Sequence, residues 1–246
     1  MQYNGGLERF ALAQWQSGDA ADCKSVYVGS IPACASSIFS NPPAISTNTP
    51  SPFPWASNLP AQAPSYSQWS AQALLQASAL QQEWLNRPGA LTAGLRDIGH
   101  VDLRVVRECP SLLTADEAWM LAHPVNTPIW LREIVMAIDG EDAVFARSFT
   151  PLAASTGLWR GMRSLQTRPL ADMLYHDREI SRSGFFHSRL SPQQPMYRSA
   201  RHALGAQCPP AGALLARCSV FRREQAPLLV AESFLPAFWD MAGGLP

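Results

Sequence analysis

The sequence predicts an α+β domain: one antiparallel β-sheet with helices packed on one side. Three observations carry this expectation. The apolar, β-prone runs mostly follow one another through short connectors, as antiparallel neighbours do. Two of these connections read as hairpins, one at Asp139-Gly140 and one closing the chain between Phe221 and Leu228. The helical stripes fall in separate clusters and do not alternate with strands, which disfavours a doubly wound parallel sheet.

The elements follow in chain order. From Ser25 to Gln82 no residue is charged, and the stretch NPPAISTNTPSPFPWASNLPAQAPS within it has no period. Such a composition buries too little apolar surface to offset chain entropy, so residues 1–66 are expected to be a disordered extension, or sequence upstream of the true start. The domain is expected over 67–246. Gln68–Leu85 carries Trp69, Ala73, Leu74, Ala77, Leu80 and Trp84 at helical spacing, ended by Asn86-Arg87-Pro88-Gly89. A second helix is expected over Ala90–Ile98 and a strand with one wet face over His100–Cys109. Thr114 and Glu117 form a capping box that opens a helix through Leu121. The hairpin around Asp139-Gly140 follows, then helices over Ser155–Tyr175 with a break at Thr167-Arg168-Pro169. Strands are expected over Ile180–Leu190 and Met196–Ala203, a loop over Gln207–Gly212, and the closing hairpin Arg217–Phe221 with Leu228–Phe234.

Composition excludes several classes of function. The 246 residues hold 19 basic and 19 acidic side chains, so the net charge is zero and nucleic acid is not an expected partner. Five cysteines form no CxxC pair, and without a secretory signal they are expected to be reduced thiols in the cytoplasm. No run approaches the roughly 18 apolar residues of a membrane span. The five histidines show no metal-binding spacing, so no metal is expected, and there is no P-loop, GxGxxG or GxSxG.

Strand parity singles out three charged residues. Trp130, Arg132, Ile134 and Met136 share one face of their strand, and Phe145, Arg147 and Phe149 share one face of the next. Leu228, Val230, Glu232 and Phe234 share a face of a strand that is apolar on both sides. A buried carboxylate needs a partner. The residues leave two readings open: Arg132 and Glu232 form a structural ion pair, or they hold a ligand between them, with two guanidiniums suited to an anion.

WLREIVMAIDGEDAVFARSFTP, LQTRPLADMLY and SVFRREQAPLLVAESFLPAFW, in this order and spacing, resemble the chorismate pyruvate-lyase family. The resemblance covers about Gln68 to Trp239 and is strong after Pro128. It implies conversion of chorismate to 4-hydroxybenzoate and pyruvate, the opening step of ubiquinone biosynthesis, without metal or organic cofactor. It implies helical flaps over an internal ligand cavity. The ligand-binding arginine of the family falls on Arg132, a leucine whose backbone meets the ligand on Leu170, and the glutamate of the last motif on Glu232. Arg147 is a further candidate for anion contact, and Leu91 stands where the family has a ligand-contacting methionine. On this reading the protein is a monomer whose partners are chorismate and 4-hydroxybenzoate, with Arg132 and Glu232 as catalytic residues. The alternative is a non-enzymatic module of the same fold that binds a small aromatic acid.

Overall fold

The computed structural model describes residues 67–244, and the expectation for 1–66 lies outside them. A seven-stranded antiparallel sheet is the frame. Its strands are β1 (Val101–Leu112), β2 (Pro128–Ile138), β3 (Glu141–Pro151), β4 (Ile180–Arg182), β5 (Phe186–Arg189), β6 (Leu215–Arg223) and β7 (Ala226–Phe234). They lie in the order β1-β2-β3-β7-β6-β4, with β5 also paired to β6. Among the described residues, six α-helices flank it: α1 (Ala79–Asn86), α2 (Leu91–Ile98), α3 (Ala115–Leu121), α4 (Ala171–Leu174), α5 (Pro195–Leu204) and α6 (Pro236–Gly243).

The α+β antiparallel class is as expected, but the helices divide between both faces of the sheet. Trp119, Met120, Met196, Tyr197 and Ala200 of α3 and α5 pack on Leu131, Val135, Phe145, Phe149 and Leu229. Trp84, Leu85, Leu91, Leu95 and Phe238 of α1, α2 and α6 pack on Ile134, Met136, Val144 and Phe234 of the other face. A third cluster on this second face joins Trp159, Met162, Leu165, Leu170 and Leu174 to Phe221 and Leu228. Between the second and third clusters the face is left partly uncovered, and the site forms there.

Two bulges set which charges share a face. Asp139 and Gly140, with φ of 50° and 88°, make the two-residue turn that both positive angles favour. An uninterrupted hairpin from Ile138↔Glu141 would set Arg132 opposite Arg147. The register instead shifts between Met136 and Ala137, with Ala143 as the extra residue, so Arg132 faces Ser148 and Arg147 faces Glu133. A one-residue slip turns every later side chain to the other face. A second shift, between Val105 and Arg107, places Glu108 opposite Arg132 and Arg107 opposite Glu133. The bulges thus sort like charges apart and opposite charges together.

Other expectations need correction. Helix α1 starts only at Ala79, because Ser78 and Gln81 cap it there, while Ser70 bridges to His187 by two backbone hydrogen bonds. Met196–Ala203 is not a strand but most of α5: Pro195 opens it, and buried Met196, Tyr197, Ala200 and Leu204 follow helical spacing. Ile180–Leu190 is two short strands, and 154–164 holds two 3₁₀ turns in place of a longer helix. The capping box at Thr114 is present, with the Glu117 carboxylate accepting from the Thr114 amide at 3.3 Å.

Candidate active site

The uncovered part of the second face is a cavity with about 600 Å³ of empty volume, counting its mouth. The sheet supplies its floor through Arg132, Ile134, Met136, Ala146, Ser148, Val230 and Glu232. Two segments roof it: the α1–α2 turn at Gly89–Thr92 and the Pro169–Tyr175 segment that carries α4. The lining is mostly apolar with a few convergent charges, the composition of a small-molecule site.

Arg132 is the most constrained of these charges, with 1 % of its surface exposed. Its Nη1 donates to Glu108 Oε2 at 3.2 Å. Its Nη2 donates to the carbonyls of Gln166 and, at 3.4 Å, Arg168. Gln166 takes the left-handed conformation, φ 51°, in the turn that brings these carbonyls over the guanidinium. Burial lowers the Arg132 pKa, opposed by the Glu108 carboxylate, and the group stays a cation. The remaining donor, Nε, is buried and has no partner among the described residues. A buried donor left unpaired costs about 1–3 kcal/mol, so a guanidinium lining a cavity in this state is suited to an anion.

Glu232 sits two strands away on the same floor. Its Oε2 accepts from Arg217 Nε at 2.8 Å, across the β6–β7 register pair Arg217↔Glu232. Arg217 is 1 % exposed and its Nη1 also donates to the carbonyls of Trp84 and Arg87, each at 2.9 Å. These carbonyls belong to the end of α1, where helix carbonyls lack intrahelical partners. One guanidinium therefore fixes both the carboxylate and the base of the α1–α2 roof. The Arg132–Glu232 ion pair that parity allowed is not formed; each residue has its own partner.

Leu170 lines the cavity and precedes α4, and its carbonyl accepts from the amides of Met173 at 3.0 Å and Leu174 at 3.2 Å. Leu91 also lines it, from the opposite roof. Arg147 does not. It projects from the other face, where Nε and Nη2 reach Glu117 Oε1 at 2.9 Å, and Nη1 reaches Glu133 and, at 3.1 Å, the Ser199 hydroxyl. The expected second anion contact is thus a structural ion network, turned away by the bulge at Ala143.

The chain's relatives show its family. A family model described as "Chorismate lyase" matches residues 63–243. The chain belongs to the chorismate lyase family. A protein of Bordetella avium named "Probable chorismate pyruvate-lyase" is 52 % identical over 181 residues, 72 % of this chain and 88 % of that protein. One of the same name from Bordetella pertussis is 54 % identical over 166 residues, 66 % of this chain and 85 % of that protein. Among solved structures, PhnF from Mycobacterium smegmatis aligns at TM-score 0.45 and 14 % identity, over 61 % of this chain and 65 % of that one. Among the described residues of this chorismate lyase family member, no helix is long and apolar enough to cross a membrane.

Three lining or supporting residues escaped the sequence reading: Tyr175, Arg182 and Arg217. Arg217 was legible in principle. If the closing strands run through Arg223 and Ala226 with a two-residue turn at Glu224-Gln225, Arg217 falls opposite Glu232. The six residues expected between Phe221 and Leu228 make a connector too long to fix that register by itself. Arg182 had no such signal, because β4 is three residues long and owes its place to β6.

Proposed function

We propose that this protein is a chorismate lyase that releases pyruvate from chorismate and leaves 4-hydroxybenzoate, the head-group precursor of ubiquinone. One observation supports this most: an apolar cavity holds a buried arginine whose Nε has no partner among the described residues and, on the same floor, a carboxylate anchored by another arginine. The ring carboxylate of chorismate would take the free Nε–H of Arg132. The hydroxyl, on the far side of the ring, would donate to Glu232.

The reaction asks little beyond positioning. The ether C–O bond breaks, the hydrogen on the hydroxyl-bearing carbon leaves as a proton, and its electron pair completes the aromatic ring. The departing enolpyruvate takes up a proton and becomes pyruvate. Aromatisation makes the step strongly downhill, so holding the ring in an apolar cavity against fixed charges is the main contribution required. Glu232, held by Arg217 at 2.8 Å, would stand beside the hydroxyl carbon, where it can hydrogen-bond the substrate and assist the proton's departure. Arg132 and Glu232 would be the catalytic residues and Leu170 a binding residue on the roof.

The test is to incubate the purified protein with chorismate and quantify both products. Equimolar 4-hydroxybenzoate and pyruvate are expected. Binding of chorismate or 4-hydroxybenzoate without turnover would overturn the proposal in favour of a binding module.

A further inference from the structure

Arg182 stands apart from the other cations of the cavity. Arg132 faces Glu108 and Arg217 faces Glu232, each within 3.2 Å. Arg182 lines the same cavity, yet among the described residues it has no ion pair within 4.0 Å. Its contacts are with neutral groups. Nε donates to the Ser219 hydroxyl at 2.8 Å; Nη1 donates to the Tyr175 hydroxyl at 2.9 Å and to the Gly89 carbonyl at 3.4 Å. The guanidinium lies over the rings of Phe185 at 4.1 Å and Phe221 at 5.1 Å. Burial lowers its pKa, and the Tyr175 and Glu232 side chains oppose that shift. A cation held in a cavity without a carboxylate of its own is a receptor for one.

The order of groups across the floor matches the order of groups on chorismate. Strands run β2-β3-β7-β6-β4, so Glu232 lies two strands from Arg132, and Arg182 two strands further on. Each step of two strands is about 10 Å between backbones, and the arginine side chains shorten both gaps. Arg182 leans back along the floor to Ser219, which pairs with Val230 beside Glu232. Chorismate presents a ring carboxylate, a hydroxyl across the ring from it, and an enolpyruvyl carboxylate on the carbon next to the hydroxyl. With the first on Arg132 and the second at Glu232, the third points toward β4.

We infer that Arg182 binds the enolpyruvyl carboxylate and is the residue by which the cavity distinguishes dianionic substrate from monoanionic product. It is a substrate-binding residue set where the side chain departs, in the place that Arg147 was expected to fill. The Tyr175 hydroxyl, which donates to Gly89 at 2.7 Å, joins the two roof segments beside it. Arg182 therefore meets substrate, floor and both roofs at one point. After the ether breaks, the same guanidinium holds pyruvate's carboxylate and no longer holds the hydroxybenzoate, which keeps Arg132, Glu232 and Leu170.

This inference rests on chorismate being the substrate, and its test separates the two claims. Steady-state turnover of chorismate and equilibrium binding of 4-hydroxybenzoate are measured for the wild type, Arg182→Met, Arg182→Lys and Tyr175→Phe. Arg182→Met is expected to lower kcat/KM for chorismate at least tenfold, mainly through KM, the loss typical of one charged hydrogen-bonding partner. Its affinity for 4-hydroxybenzoate is expected to stay within about threefold of wild type, well inside that charged-partner loss. Arg182→Lys should restore part of the chorismate term, because it keeps the charge but not the fork. Tyr175→Phe, which unties the roofs and takes one neutral partner from Arg182 while leaving its charge, should weaken 4-hydroxybenzoate more than Arg182→Met does. Equal losses for both ligands in Arg182→Met, or no change in either, would overturn the role of Arg182 while leaving the lyase intact. A wild-type protein that forms no product from chorismate would overturn both.

Discussion

The two faces of the sheet carry the same kinds of charge and use them differently. On the face covered by α3 and α5, each nitrogen of Arg147 has a partner in Glu117, Glu133 or Ser199, and Glu133 also meets Arg107 at 3.4 Å. On the cavity face, among the described residues, Arg132 keeps one buried nitrogen unpartnered, and Arg182 has only neutral hydrogen-bond partners. A saturated buried network offers a ligand nothing and serves to hold elements in register. An unsaturated one gains by binding. Burial alone does not separate the two, since Arg132 and Arg147 are both buried; the count of satisfied donors does.

This contrast can be broken at either face. The largest effect is expected from Arg147→Met, which leaves Glu117 and Glu133 buried without their main partner and should cost about 3–5 kcal/mol of stability. Urea denaturation measures it, and turnover per folded molecule should stay at the wild-type level. Arg132→Met should do the reverse. With Glu108 partly exposed, stability changes less, while kcat/KM for chorismate falls roughly a hundredfold or more. Steady-state kinetics beside a melting curve separate the two outcomes. Glu232→Gln keeps a group that can accept from Arg217 but removes the charge, so kcat should drop about ten- to a hundredfold. Rapid-quench measurement of product formation would show whether the loss lies in the chemical step.

The smallest effect concerns His187, which lies in β5 opposite Arg217. Among the described residues, neither ring nitrogen has a hydrogen bond of good geometry. Burial lowers the His187 pKa, and the nearby Leu85 and Gln72 backbone groups only oppose that shift. A lowered pKa means the folded protein favours the neutral ring, so the unfolded chain binds the proton more tightly. Stability should therefore fall as pH drops below about 6.5, the unperturbed histidine value. The urea midpoint followed from pH 7.5 to 5.5 checks this, and His187→Asn should flatten that part of the profile.

Much of the frame was legible because it is local. The Thr114–Glu117 box, the Asp139-Gly140 turn and the alternation around Glu232 each depend on neighbours a few residues apart. The resemblance to chorismate lyases likewise pointed to Arg132, Leu170 and Glu232, which the fold gathers around one cavity. What was hidden is non-local or rests on a single inserted residue. No pattern in β3 marks Ala143 as the extra residue that turns Arg147 away from Arg132. Helix α5 begins with residues that suit a strand equally well, and its identity comes from burying Met196, Tyr197 and Ala200 against the sheet. Arg182 reaches the cavity only because three residues of β4 pair with β6.

The most direct test is a crystal structure of the protein with 4-hydroxybenzoate. The carboxylate is expected on Arg132 Nε and the hydroxyl at Glu232, beneath Leu91 and Leu170, with Arg182 left out of contact. Ligand in the groove of Arg107, Arg198 and Ser199 beside Arg147, or seated in the cavity with its carboxylate away from Arg132, would contradict the division of the two faces.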